Sequence, residues 1–330
     1  MKDSDRIKFE RLIKTVRRNF QITHWYKEYL ERFPTFITKE MIDALTEDGE
    51  TSPEVAIAAL LAQVFRLDFD NDEDRRLLMD CITPSIRLLE RERYENNPYY
   101  KNIKLDNITS GNWEIRWEKY EPYQAVICDD IVISDDFSEI VPLGFFPDGF
   151  RFPAILENGN EWMTLTPVDL DTCEEAIEAT KGKVLTFGLG LGYYAYMASE
   201  KEDVESVTVV ELSSEVIELF KKHILPQMPN RHKIKIVNAN AVEYAKDVMP
   251  KENFDFVFVD TWRDASDGTP MYETIKPLEK LCPDTKFMYW VENFLRSNIR
   301  ASKYSEMISG YEDGELDTDY DTFIENIRKI

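Results

Sequence analysis

The apolar positions of the first ninety residues recur at helical spacing. Ile13, Val16 and Phe20, for example, are separated by three and four residues, which places them on one face of a helix. Ser52 followed by Pro53 is typical of a helix start, because serine can cap free backbone amides and proline fits the first helical position. The pattern predicts a helical N-terminal domain over residues 1–104.

The period then changes from helical spacing to alternation. Trp113, Ile115 and Trp117 alternate with charged residues, as in a half-buried strand. Similar apolar stretches cover residues 126–133, 154–156 and 162–165, with turn-forming residues such as Asn158 and Gly159 between them. The pattern predicts a small antiparallel β unit over residues 105–164.

From residue 165 onward, buried strand-like segments alternate with helical ones. This order is typical of a doubly wound parallel sheet, so the sequence predicts an α/β, Rossmann-like domain over residues 165–330 with a helical C-terminal tail. The predicted strands are Val184–Phe187, Ser206–Glu211, Lys233–Val237, Phe254–Asp260 and Lys286–Val291.

Three glycines follow the first of these strands, where a strand turns into a helix. Gly188, Gly190 and Gly192 alternate with leucines, so a ligand can approach bare backbone at this turn. Glu211 ends the next strand, 23 residues after Gly188, where a carboxylate can accept both hydroxyl protons of a ribose. The spacing predicts a nucleoside site. A dinucleotide site would favour a glycine where Tyr193 stands.

The GxGxG spacing and the acid on the second strand resemble motifs I and II of the class I methyltransferases, which bind S-adenosylmethionine. The resemblance implies that the glycines pass under the methionine part of this cofactor, Glu211 holds the ribose and Asn240 lies beside the adenine. It also places Asp260 at the carboxyl edge of the sheet. The cofactor-binding residues that it implies are Gly188, Leu189, Gly190, Gly192, Glu211, Leu212, Asn240, Ala241 and Asp260.

Methyl transfer needs an oriented acceptor and the exclusion of water, rather than a nucleophilic side chain. Asp260 is the candidate for positioning or deprotonating an amine acceptor, and Trp262 is a candidate for stacking on a ring or covering the cation. Trp162 is a second candidate for contacting the acceptor, since the β unit directly precedes the cofactor domain and could close over the acceptor. The acceptor, a small molecule or a protein, is not identified by these residues.

Two other functions stay open. The chain also resembles the aminopropyltransferases, the spermidine synthase family, through the order of β unit and nucleoside domain and through residues 209–219. That family usually has acids at the places of Leu191 and Arg263, with Asp264 able to replace the second only if its loop shifts. Methyl transfer is therefore favoured. A nucleoside-binding protein without catalysis is the third interpretation.

Composition narrows the remaining choices. The net charge of −23 opposes a polyphosphate partner, so nucleic acid is not expected. The four cysteines form no CxxC pair and there are only three histidines, so we expect neither a metal site nor disulfides. No apolar run reaches the roughly 18 residues of a membrane helix, and the N-terminus does not resemble a signal peptide, so we expect a cytoplasmic protein without a membrane partner. The sequence does not predict an oligomeric state.

Overall fold

The computed structural model describes residues 2–105, 107–263 and 265–330. Short π or 3₁₀ segments cover Leu78–Ile82, Phe220–Ile224, Leu225–Gln227, Arg231–Lys233 and Lys276–Leu281. The α-helices are Asp3–Arg32 (α1), Lys39–Thr46 (α2), Pro53–Val64 (α3), Asp72–Leu77 (α4), Thr83–Ser85 (α5), Arg91–Glu95 (α6), Pro98–Asn102 (α7), Pro167–Ala179 (α8), Tyr193–Glu200 (α9), Ser214–Leu219 (α10), Ala241–Asp247 (α11), Met249–Glu252 (α12), Ala265–Ile275 (α13), Glu292–Glu312 (α14) and Tyr320–Lys329 (α15). The strands are Ile86–Leu88 (β1), Ile108–Ser110 (β2), Trp113–Tyr120 (β3), Ala125–Ile127 (β4), Val132–Ile133 (β5), Glu139–Ile140 (β6), Leu143–Phe145 (β7), Phe150–Glu157 (β8), Asn160–Thr164 (β9), Gly182–Phe187 (β10), Val204–Glu211 (β11), Ile234–Asn238 (β12), Phe256–Val259 (β13) and Lys286–Tyr289 (β14).

The chain forms two compact units, each assembled from separate stretches of sequence. Unit 1 consists of residues 1–89, 120–149 and 293–330, and unit 2 of residues 90–119 and 150–292. The boundaries predicted at residues 104 and 164 therefore do not coincide with those of the units. The predicted β unit is divided, because β4 to β7 belong to unit 1 whereas β2, β3, β8 and β9 belong to unit 2. A change of period marks a change of secondary structure, but it does not reveal which layer a strand joins.

Unit 1 is mainly helical and has two apolar clusters. One joins α1 to α14 and α15 through Phe9, Tyr304 and Ile324; the other packs α1 and α3 against β1, β4 and β7. The Ser52 hydroxyl accepts the Val55 N–H at 3.4 Å, so the predicted start of α3 is confirmed. The helical face of the N-terminal segment thus supplies the core of this unit.

The strand predicted over residues 126–133 is wrong, since β4 and β5 are separate strands. Asp130 lies between them, and its carboxylate accepts the N–H groups of Asn293 and Phe294, both at 3.0 Å. It therefore caps the first turn of α14, which takes this stretch of backbone out of the sheet. Apolar periodicity does not show such a long-range cap.

Unit 2 contains a five-stranded parallel sheet in the order β12-β11-β10-β13-β14. The predicted α/β, Rossmann-like fold is confirmed, and the predicted strand ends differ from the observed ones by at most two residues. The central strands read as apolar runs because helices cover both faces of such a sheet. Because β11 and β13 flank β10, the glycine turn follows the middle strand, where open α/β sheets bind ligands.

A second sheet of unit 2 has the order β2-β3-β8-β9. Strands β8 and β9 are antiparallel, with Ile155 opposite Met163 and Leu156 opposite Glu161. Trp162 is therefore the extra residue of a β-bulge, a feature that redirects side chains and bends a strand. Among the described residues, no helix has both the length and the apolar character that a membrane-spanning segment requires.

Candidate functional site

The glycine turn after β10 has a left-handed backbone at each glycine. The φ angles of Gly188, Gly190 and Gly192 are +96°, +48° and +77°, a region that other residues rarely adopt. A Cβ on Gly188 would collide with the Asp260 carbonyl, and one on Gly192 would collide with the Phe220 ring. At these two positions glycine is required by packing within the protein, whether or not a ligand is bound.

Glu211 ends β11 beside this turn, as its position in the sequence predicts. Its carboxylate accepts the Leu189 N–H at 3.0 Å and the Ser213 N–H at 2.8 Å. The same side chain thus holds the glycine turn and the start of α10. An ionised carboxylate offers about four acceptor sites, so two remain beyond these backbone contacts. Two is the number that the hydroxyls of one ribose require.

An open cavity of about 580 Å³ lies next to Glu211, within the size range of ligand pockets. Trp113 and Trp162 line it, with ring centroids 5.4 Å apart in an edge-to-face arrangement. Leu212 also lines it and is 68% exposed, which is unusual for a leucine beside a buried sheet. The structure therefore brings Glu211, Leu212 and Trp162 together around one space, which the carboxylates of Glu157 and Glu215 also line.

Arg263 stands close to this group. Its guanidinium lies over the Trp162 ring at 5.4 Å from the centroid, and its backbone N–H donates to Asp267 at 3.1 Å. A cation thus occupies the place where the aminopropyltransferases usually have an acid. Asp264, which the sequence offered as a replacement, lies outside the described residues.

A second, enclosed cavity of only about 20 Å³ lies on the other side of the turn. Gly188, Asp260 and Asp169 line it, so the structure places Asp260 at the glycine turn, as predicted. Burial raises the pKa of Asp260 well above its ordinary value, and the nearby carboxylates of Asp169 and Glu211 raise it further. Burial also raises the pKa of Asp169 to about 6. Clustered carboxylates of this kind favour a cation, which would lower these pKa values again.

The adenine contact predicted for Asn240 meets a competing role in the structure. The Asn240 side-chain oxygen accepts the N–H groups of Val242 and Glu243 at 2.9 and 3.2 Å, which caps α11. Ala241 is the first residue of that helix. The oxygen is therefore engaged by backbone, and a contact to adenine would fall to the amide nitrogen, which donates rather than accepts.

Trp262 is 7% exposed and is less accessible than a stacking platform would be. Its indole N–H and the Thr261 hydroxyl are buried and have no hydrogen-bond partner among the described residues. Unpaired buried donors are uncommon in proteins and are often found at functional sites. Thr261 and Trp262 directly follow Asp260 in the chain. A bound molecule with atoms that accept hydrogen bonds would therefore pair with both donors.

Three residues of the site were not identified from the sequence. The Tyr99 hydroxyl donates to the Leu191 carbonyl at 2.6 Å and supports the glycine turn from beneath. The Asp169 carboxylate accepts the backbone N–H of Thr166 at 2.7 Å and also lines the enclosed cavity. Met163 contacts the glycine turn directly. Tyr99 lies in the Asn97-Pro98-Tyr99-Tyr100 stretch, which by itself indicates a helix boundary with packed tyrosines, and Asp169 and Met163 have no motif that would link them to the glycine turn.

A known family model matches part of unit 2. Residues 177–281 match the spermine/spermidine synthase domain. The match covers about a third of the chain and contains the glycine turn, Glu211, Asn240 and Asp260. Unit 2 therefore has a core similar to that of spermidine synthases. No curated protein matches the chain.

Two solved structures illustrate how distant the structural matches are. The precorrin 8W decarboxylase of Methanobacterium thermoautotrophicum is 15% identical, with 37% of this chain and 62% of that chain covered and a TM-score of 0.28. A candidate caffeoyl-CoA O-methyltransferase of Staphylococcus aureus is 22% identical, with 33% and 50% covered and a TM-score of 0.25. The chain thus spans less than two thirds of either protein, and neither likeness bears on function.

Proposed function

We propose that unit 2 binds S-adenosylmethionine at the glycine turn and that the protein transfers the methyl group to an acceptor. The observation that carries this proposal is the geometry of Glu211, whose carboxylate holds Leu189 N–H and retains acceptor sites for a ribose. The open cavity beside it, with Leu212, Trp113 and Trp162, would take the adenine. The fold supports this placement, since the turn lies at the carboxyl end of the middle strand.

The bound cofactor would supply a methyl group on a positively charged sulfur. The chain's own contribution would be orientation and electrostatics: Asp260, Asp169 and Glu211 lie close enough to influence one another and would stabilise a cation. As the acceptor nitrogen bonded to the methyl carbon, the carbon–sulfur bond would break and its electron pair would stay on the sulfur as a neutral thioether. The methylated amine would then be positively charged and would lose a proton. Asp260 is the residue proposed to receive it, because a neighbouring cation restores the ionised, basic form of a carboxyl whose pKa burial has raised.

We expect S-adenosylmethionine or S-adenosylhomocysteine to bind more tightly than NAD. Tyr193 stands where dinucleotide sites favour a third glycine, which lets the helix pack closely on the strand; it is buried and begins α9, so its side chain occupies the space that this close packing requires. Isothermal titration calorimetry of the purified protein with the three ligands measures the preference. Tighter binding of NAD than of both sulfur nucleosides would contradict the proposed function.

Aminopropyl transfer is the second candidate. It is favoured by the match of residues 177–281 and by the Asp169 and Asp260 carboxylates, which could pair with the propylamine of decarboxylated S-adenosylmethionine. Two observations weigh against it. Leu191 is fully buried at a place where an acid would face an amine, and Arg263 adds positive charge beside Trp162. The positive charge of Arg263 would repel a cationic substrate and weaken its binding.

Product analysis separates these two reactions. We expect the carboxylated cofactor to bind more tightly than the decarboxylated one, and we expect no methylthioadenosine when the decarboxylated cofactor is incubated with putrescine. Calorimetry and mass spectrometry measure the two quantities, with a reaction lacking putrescine as the control. Preferential binding of the decarboxylated form, together with putrescine-dependent release of methylthioadenosine, would establish aminopropyl transfer instead.

A further inference from the structure

The thioether of Met163 occupies the space above the glycine turn. A Cβ on Gly190 would collide with the Met163 sulfur, and the Leu191 N–H donates a hydrogen bond to this sulfur at 3.2 Å. The backbone at Gly190 is thus bare, but one of the protein's own side chains covers it. The covering group is a thioether, the same functional group that joins the nucleoside to the amino-acid half of S-adenosylhomocysteine.

Met163 directly follows the bulge at Trp162 in β9. Trp162 is inserted between two paired positions of this strand, whereas Met163 lies opposite Ile155. Successive side chains of a strand point to opposite faces. Trp162 lines the open cavity with Glu211, whereas Met163 lines the enclosed one with Gly188 and Asp260. Two neighbouring residues of β9 therefore line the two different cavities of the site.

Met163 is also the most readily displaced of the groups that press on the three glycines. Gly188 faces the backbone carbonyl of Asp260, and Gly192 faces the ring of Phe220, which is 1% exposed. Neither of these can move without disturbing the sheet or the core. Met163 is only half-buried, and a methionine side chain is unbranched with three rotatable bonds. A ligand that enters the turn would displace this side chain first.

The sizes of the two cavities show which half of a nucleoside needs that displacement. The open cavity of about 580 Å³ can receive an adenosine while Met163 stays in place. The enclosed cavity of about 20 Å³ has room for about one water molecule, and not for an amino-acid chain. The amino-acid half can therefore reach Gly190 only after Met163 leaves.

We propose that Met163 determines specificity by competing with the amino-acid half of the nucleoside for the space above Gly190. The inference rests on the proposed function, since it concerns the same cofactor site. Displacing Met163 costs its packing and its hydrogen bond from Leu191, so this cost reduces the affinity for S-adenosylmethionine and S-adenosylhomocysteine. It does not affect methylthioadenosine, which has the same nucleoside and thioether but no amino-acid chain.

The test compares Met163→Ala with the native protein by calorimetry, using S-adenosylhomocysteine and methylthioadenosine. We expect the alanine variant to bind S-adenosylhomocysteine at least five times more tightly and methylthioadenosine within a factor of two of the native value. Met163→Leu is the matched control, because leucine keeps most of the bulk above Gly190. It should leave the affinity for S-adenosylhomocysteine within a factor of two.

A second measurement uses the native protein and does not depend on the folding of a variant. If S-adenosylhomocysteine expels Met163 from the turn, mild peroxide should oxidise this methionine faster when that ligand is bound. Methylthioadenosine should leave the rate unchanged. Peptide mapping by mass spectrometry gives the fraction of sulfoxide at Met163, with other methionines of the same sample as internal references.

The outcomes distinguish the two proposals. An equal shift of both affinities in Met163→Ala, or an oxidation rate that S-adenosylhomocysteine leaves unchanged or slows, overturns the role of Met163 while the nucleoside site stands. Failure of both nucleosides to bind the native protein and the alanine variant overturns the proposed function and, with it, this inference.

Discussion

Replacing Glu211 with alanine is expected to weaken the binding of S-adenosylhomocysteine by about 1.5–3 kcal/mol, or roughly 10- to 150-fold. The variant loses the carboxylate that would accept the two ribose hydroxyls, and it also loses the bonds from Leu189 and Ser213. Both losses lower the affinity for the nucleoside, since a glycine turn without the hydrogen bond to Glu211 is less well ordered for binding. Calorimetry on the purified variant measures the change.

Glu218→Ala is the matched control for this prediction. Glu218 is an exposed acid on α10, the helix that follows β11, so its replacement changes the net charge by the same amount without touching the glycine turn. We expect its effect on affinity to stay below about twofold, since an exposed charge is screened at ordinary ionic strength. Equal losses in the two variants would indicate a general electrostatic effect, and native affinity in a folded Glu211→Ala would mean that the ribose is held elsewhere.

Gly188→Ala is expected to lower the free energy of unfolding of unit 2 by about 3 kcal/mol or more. A φ of +96° is strained for alanine, and its Cβ would collide with the Asp260 carbonyl. The collision is not easily relieved, because both backbones are anchored in the sheet. Gly188 N–H donates to Val210 at 2.9 Å, and Asp260 N–H donates to Phe187 at 2.9 Å. Urea unfolding followed by circular dichroism gives the difference.

Gly159→Ala separates the two sources of this loss. Gly159 lies in the turn between β8 and β9 of the same unit and has a φ of +78°, but no atom lies within 4 Å of the position that its Cβ would take. It therefore tests the backbone strain alone, and we expect a loss of about 1 kcal/mol. If the two variants lost the same stability, the contact between Gly188 and Asp260 would contribute nothing.

The parallel sheet could be predicted because its signals are local. Runs such as residues 256–259 are apolar on both faces, and a strand of this kind is stable only between two layers of helix. The glycine turn and Glu211 were predicted for a related reason, since the ends of adjacent parallel strands meet at one edge of the sheet. The fixed spacing from Gly188 to Glu211 is therefore enough to place the Glu211 carboxylate beside the backbone of the glycine turn.

The roles of polar side chains were harder to predict. Asn240 has the right place for a nucleoside contact, but its oxygen caps α11. Asp130 lies within a stretch that reads as a strand, but it caps a helix that begins more than 160 residues later. The side-chain oxygen of each residue can accept hydrogen bonds from several kinds of partner. The partner that it binds depends on which backbone groups the fold brings near.

The sequence by itself determined the fold of unit 2, the position of the glycine turn and the acid beside it, since each follows from a period or a spacing along the chain. Only the tertiary structure decided how the chain divides into two units and what covers the turn. Met163 reaches Gly190 from strand β9, which is held by its pairing with β8, and the sizes of the two cavities depend on side chains far apart in sequence. Such contacts form when folded elements pack together, so they cannot be predicted from a residue's immediate neighbours in the chain.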